Sequence, residues 1–310
     1  MGGVAAGPGP GAEEARAAVR RLVALDAGCG AMAALPAVRE AARRLPGPRR
    51  LAGSREGNGD RLAALAELYE VIGWILFDAG LPGPAHRANA RALALADRCG
   101  DRWTARLTLL NSSMLLTRTG RPRAALAAAE RAAAGPRPLP PRVASLVLIR
   151  RAHAVALLGG ERDAVELTDR ARTAFLDGVS TRDPHWAWWI DEPELLGHQG
   201  WVRARLGHWD RALPQLHAAV AAPGPSYRHL FAAGLLATTA HAGAWTEAAR
   251  LAAELAPTAA RTGSARTVAS LAATGRHLRD RAAAPPYARE AAVHLLESLP
   301  SRSPWDGSRK

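Results

Sequence analysis

The chain has 310 residues and a formal net charge of +13; 48% of its residues are hydrophobic but only 5% are aromatic. That length and apolar content suffice for a full core or an elongated array, while the scarcity of β-branched and aromatic residues leaves little material for strands. No run of about 18 uncharged apolar residues occurs, which excludes a helical membrane span, and the two cysteines, Cys29 and Cys99, argue against a disulfide framework or a cysteine-rich metal centre.

Residues 1–12 are rich in glycine, proline and alanine and are expected to be disordered. They lack the basic start and long apolar run of a signal peptide, which points to the cytoplasm. An N-terminal helical extension follows over 13–58, with short helices near 13–27 and 36–45 and a flexible loop after them (PGPRRLAGSREGNG, 46–59). The GSREGNGD stretch of that loop precedes a helix, yet it lacks the GK[ST] ending of a phosphate-binding loop and reads as a hinge. From 59 to 300 helical patterns alternate with short Gly/Pro breaks and no strand pattern. A capping helix is expected near 286–299, then a disordered tail over 301–310.

The breaks repeat. Gly80, Gly120, Gly159, Gly207 and Gly243 each end a helical run, and an alanine stands five residues after each: Ala85, Ala125, Ala164, Ala212 and Ala248. Glycine supplies the left-handed residue that ends one helix, and alanine gives the next a face small enough to lie close against it. A lone helical hairpin cannot bury its apolar face, so such units must stack. The expected fold is all-α, a right-handed α-solenoid of about five helix hairpins.

The glycine-to-alanine spacing resembles the tetratricopeptide repeat (TPR), although the glycine intervals of 40, 39, 48 and 36 residues imply longer helices or extra turns. A closer resemblance covers most of residues 19–299. LAELYEVIGWILFDAG (65–80), LNSSM (110–114), DPHWAWWIDEPEL (183–195), GHWDRALPQLHAAV (207–220) and SARTVASL (264–271) resemble the TPR-like, ligand- or partner-binding region of XRE-type helix-turn-helix regulators from high-GC bacteria. The resemblance implies a regulatory setting. A helix-turn-helix domain precedes the array in those regulators, and none is recognisable here, so direct operator recognition is not expected.

The basic charge does not by itself imply nucleic acid. Of 41 basic residues 40 are arginine, and arginine, alanine, glycine and proline share GC-rich codons. Residues 183–260 carry 5 basic and 7 acidic side chains, so the middle of the chain is acidic. The arginine pairs Arg20–Arg21, Arg43–Arg44, Arg49–Arg50 and Arg150–Arg151 read as solvated helix edges. The alternative is a transcriptional regulator that contacts DNA directly through its basic N-terminal part, about residues 13–55, and these pairs.

Six of the nine tryptophans fall between 186 and 245, and the densest chemistry lies in 183–209. If one helix ran through 185–201, Trp186, Trp189 and Ile190 would share a face and Trp188, Asp191 and Glu192 another. Binding contacts are expected from Asn111, Trp186, Trp188, Trp189, Asp191 and Glu194, forming an aromatic and acidic cleft on the concave face. Such a cleft suits a cationic or basic peptide through cation–π and charge contacts. The same tryptophans also serve as large spacers between hairpins, and Asn111 as a buried, locally satisfied amide. Glu194 and His198 are spaced as metal ligands on one helical face but lack an HExxH pattern, and Ser112 and Ser113 have no His or Asp at a readable spacing. No cofactor and no catalysis are therefore expected. The expected activity is a non-enzymatic binding scaffold in bacterial regulation whose partner is a peptide, a protein or a small signal molecule.

Overall fold

The computed structural model describes residues 11–45, 59–259 and 261–300. The expectations for residues 1–10, most of the 46–59 loop and the 301–310 tail fall outside these. The described residues form fourteen α-helices and no strand. They are α1 (Ala12–Cys29), α2 (Ala31–Arg44), α3 (Gly59–Asp78), α4 (Pro82–Cys99), α5 (Arg102–Arg118), α6 (Pro122–Ala133), α7 (Pro141–Leu157) and α8 (Glu161–Leu176). After them come α9 (Glu192–Arg205), α10 (Trp209–Ala221), α11 (His229–His241), α12 (Trp245–Ala259), α13 (Ala265–Asp280) and α14 (Pro286–Ser298). Short 3-10 turns, His185–Trp189 and Ser226–Arg228, lead into α9 and α11.

Five hairpins, α3/α4 to α11/α12, stack in series, and the pair α13/α14 ends the array. The odd-numbered helix of each hairpin packs against the odd-numbered helices before and after it, so α3, α5, α7, α9, α11 and α13 form an inner layer of parallel helices. The even-numbered helices lie outside. Composition follows position: α6 buries only Ala125, Ala128, Ala129 and Ala132. The inner α3 buries residues all round, among them Leu65, Leu68, Ile72 and Ile75. A helix enclosed on several sides needs no polar face, whereas an outer helix needs a single apolar stripe.

The hairpin turn is the same device five times. Gly80, Gly120, Gly159, Gly207 and Gly243 have φ of +78°, +71°, +84°, +79° and +74°. The residue after each glycine donates its N–H back to the carbonyl five positions earlier, as in Leu81 to Leu76 (2.8 Å) and Arg121 to Leu116 (2.9 Å), which satisfies an otherwise open helix-end carbonyl. Ala85, Ala125, Ala164, Ala212 and Ala248 are all 0% exposed.

The array curls until its ends meet. Met32 N–H donates to Gly263 C=O (2.8 Å), and Ser226 Oγ donates to Asp26 C=O (2.6 Å). The Gly30 and Gly263 backbones touch so closely that a Cβ on Gly30 would lie 2.6 Å from Gly263 Cα. At the same seam Asp78 at the end of α3 accepts from Ser264 Oγ (2.9 Å) and Arg266 Nε (2.7 Å), and all three residues are buried. The Arg266 guanidinium also lies 4.2 Å from the Phe77 ring centroid. The inner helices thus enclose a lumen. No described helix is long and apolar enough to cross a membrane.

Candidate functional site

The segment 185–201 is not one helix. His185–Trp189 is a 3-10 turn, the chain is extended at Ile190 and Asp191, and α9 begins at Glu192. Asp191 has the extended backbone of an N-cap, and its Oδ1 accepts from Glu194 N–H at 3.0 Å. The expected grouping of side chains survives the break. Trp186, Trp189 and Ile190 pack with Leu107, Leu110, Val143 and Val147 between α5 and α7, whereas Trp188 stays 59% exposed.

Trp186, Trp188 and Trp189 line a cavity of about 490 Å³ together with Asn111 and Glu194. Asp191 is not part of its lining; besides capping α9 it pairs with Arg228 Nη2 at 2.5 Å. The opposite wall, which no sequence pattern pointed to, comes from α1 and α3, which supply Asp26, Glu67, Glu70 and Trp74, with Tyr227 from the turn before α11. At the rim His185 Nε2 lies 3.0 Å from Glu67 Oε1, so the tryptophan turn is tied to α3.

Carboxylates dominate the polar part of this wall, and burial decides their state. Glu70 is 4% exposed and accepts from Asn111 Nδ2 at 2.5 Å. Desolvation pushes its pKa up to about 8 against the pull of that amide. Asp26 accepts from Trp74 Nε1 at 3.0 Å, while its Oδ1 has no hydrogen-bond partner. Burial and the nearby Asp78 carboxylate raise its pKa to about 6. Burial likewise raises Glu194 to about 7, opposed by Arg150 and Arg228. The buried Trp186 indole N–H also has no partner among the described residues.

Beneath Glu194 lies a buried polar group, of which the sequence spacing brings out only the Glu194–His198 pair. His198 Nε2 is 3.1 Å from Glu194 Oε1 and 3.2 Å from Arg150 Nη1, and its Nδ1 is 3.1 Å from His153 Nε2. Burial first, then the neighbouring cations, push both histidines well below their ordinary value and keep them neutral. The expectation for Arg150–Arg151 as a solvated edge fails at Arg150, which is 2% exposed. Its place in the apolar run VLIRRAHAV was the available signal. Ser113 donates to Ala125 C=O at 2.8 Å and Ser112 accepts from Asn89, so both serines tie neighbouring helices together. Among the described residues no group of three or more His, Cys, Asp or Glu side chains is arranged to hold a metal ion. No protein-family model matches the chain, and no curated protein matches it.

Proposed function

We propose that the chain is a non-enzymatic binding module whose acidic, tryptophan-lined cavity receives an organic cation, either a small ammonium compound or the basic side chain of a peptide. The observation that carries this reading is Glu70, a carboxyl held in the wall of the cavity with an amide as its hydrogen-bond partner and no basic partner among the described residues. A buried acid left neutral by desolvation regains its charge when a cation arrives. Trp74, Trp186, Trp188 and Trp189 add ring faces, which attract cations most strongly where water is excluded. A volume of about 490 Å³ suits a small molecule or one or two side chains. The resemblance to XRE-type regulators supports a regulatory setting, in which a bound cation orders neighbouring hairpins and alters the surface offered to a second partner. Arg20 pairs with Glu13, and Arg43 and Arg44 share Glu40, so acidic neighbours offset part of the basic charge in this segment.

Isothermal titration with benzyltrimethylammonium, whose charge is permanent, tests the reading. We expect saturable binding that weakens about ten-fold in Glu70→Gln, the equivalent of ~1.4 kcal/mol. The absence of saturable binding by this ion and by a hexa-arginine peptide would overturn it.

A further inference from the structure

We propose that the lumen holds a second binding site, opposite in charge to the first, for a small organic anion with a carboxylate or phosphate head on a flat apolar body. The site is a cavity of about 490 Å³ on the other side of Arg150, whose side chain lines both spaces. It is built from the C-terminal halves of α5, α7, α9 and α11 and the start of α13.

Four arginines, Arg118, Arg150, Arg205 and Arg266, line this cavity, and no aspartate or glutamate does. Arg266 is spoken for by Asp78. Arg150 meets His198, but its buried Nε has no hydrogen-bond partner. Arg118 and Arg205 stand at the mouth with no ion pair to any described residue; partial burial disfavours the charge on each, and a neighbouring arginine adds to this, Arg266 at Arg118 and Arg118 at Arg205. Cations set against one another around a concave space are the complement of an anion, and guanidinium forks match carboxylate and phosphate oxygens in geometry. Thr117 Oγ, also lining the cavity and buried, is a further hydroxyl without a partner.

The remaining wall defines the body of the ligand. Trp201 packs against Phe231 with centroids 4.7 Å apart and planes tilted by 53°, and Trp209 lies nearly parallel to His241, 5.9 Å between centroids. A Cβ on Gly234 would collide with Trp201 Nε1, so the glycine lets the indole edge pack directly on α11. Met114 and Leu230 complete an apolar surface. Flat aromatic walls with a guanidinium cluster at one side select a planar anion over a bare inorganic ion.

Apart from Arg150, which lines both spaces, the inference uses residues other than those of the cation site, so the two are tested apart. Titrations of the purified chain with 1-naphthoate and 1-naphthyl phosphate, with inorganic phosphate for comparison, test it. Arg118 and Arg205 are surface-accessible at the mouth, so the double variant Arg118→Ala/Arg205→Ala is expected to fold, with circular dichroism as the check. Saturable binding of either naphthyl anion, weakened about ten-fold or more in the double variant and retained in Glu70→Gln, supports the site. The head group that binds more tightly identifies the ligand source. The proposal is overturned if neither naphthyl anion binds saturably or if the double variant binds as the wild type does. Displacement of bound naphthoate by an equal concentration of 1-naphthylmethylammonium, or inorganic phosphate binding as tightly as naphthyl phosphate, would overturn it too, since the anion or the ring would then contribute nothing.

Discussion

The two cavities have the same volume and share Arg150, yet one is walled by Asp26, Glu67, Glu70 and Glu194 and the other by arginines and neutral histidines. The direction of the inner helices accounts for part of the difference. Thr104 and Leu107 of α5, Glu194 of α9 and Tyr227 before α11 line the acidic cavity, while Thr117 and Arg118 of α5 and Arg205 of α9, nearer the C-termini, line the basic one. Helix N-termini favour negative charge and C-termini positive charge, by about 0.3–1 kcal/mol per group. Glu194 in the first turn of α9, and Arg118 and Arg205 in the last turns of α5 and α9, obey that rule. The dipoles account for Glu194, Arg118 and Arg205, but not for Asp26 in the last turn of α1 or for Glu67 and Glu70 in the middle of α3. Nor do they account for carboxyls buried far enough to hold a proton at neutral pH, and that excess is where ligand chemistry enters.

The strongest way to break the comparison is at the seam, since both cavities depend on the ends of the array meeting. Asp78→Ala removes the acceptor of Ser264 and Arg266 and leaves Arg266 buried without its ion-pair partner. The expected loss is about 3–5 kcal/mol of unfolding free energy, measured by urea denaturation, with weaker binding of both the ammonium and the naphthyl probes. A variant that loses stability but keeps both affinities would show that the lumen does not depend on closure.

A second difference between the walls is their response to pH. Raised carboxyl values mean that the folded chain binds more protons than the unfolded chain, so stability falls as pH rises through the window. Glu194 titrates near 7 and Glu70 near 8, against an ordinary value of 4.5. The buried His153 and His198 act in the opposite direction, but only below their ordinary 6.5. Each carboxyl therefore loses its contribution between pH 4.5 and its folded value, and below about pH 6.5 the histidines oppose that loss. The net decline should be clearest from about pH 6.5 to 8, at up to ~1.4 kcal/mol per pH unit for each carboxyl still protonated, and should level off above it. Glu70→Gln should flatten the upper part of that decline. Urea midpoints across the pH series read the slope directly, and an unchanged slope would mean that Glu70 is ionised already.

Much of this architecture was legible locally. A left-handed cap at Gly120 and a close helix contact at Ala125 are demands that single residues meet, so the glycine-to-alanine spacing revealed each hairpin. Curvature is different. It accumulates from small rotations between units, and no residue pattern linked Gly30 to Gly263 or Asp78 to Arg266. The site was legible by halves for the same reason. Asn111, Glu194 and the three tryptophans were chosen from the sequence and line one cavity, but Asp26, Glu70 and Trp74 reach it only once α1 and α3 face them across the lumen. Glu70 inside the apolar run LYEVIGWI was the overlooked signal, a carboxyl where a helix otherwise has no polar face.

Proton exchange sharpens the contrast further. At pH 7 Glu70 holds its proton, so a permanent cation bound beside it should expel up to about one proton per site. Titrations with benzyltrimethylammonium in two buffers of different ionisation enthalpy measure that release. Affinity should rise between pH 6.5 and 8.5, and both effects should vanish in Glu70→Gln. 1-Naphthoate should show no such release, because its carboxylate and the arginines both keep their charge throughout that range.

The smallest expected effect isolates the rim. Trp188 is 59% exposed and packs little, so Trp188→Ala should change unfolding free energy by no more than about 0.5 kcal/mol. Its ring face at the cavity mouth should still contribute to holding a cation, at about 0.5–1 kcal/mol for an exposed site, or roughly two- to five-fold in affinity. Affinity for 1-naphthoate should not change, because Trp188 lines only the acidic cavity. Equal weakening of both probes would mean that occupancy on one side of Arg150 is felt on the other. The Glu194–His198–His153 chain, which runs from the acidic wall into the basic one, would then be the path to test by substituting His198.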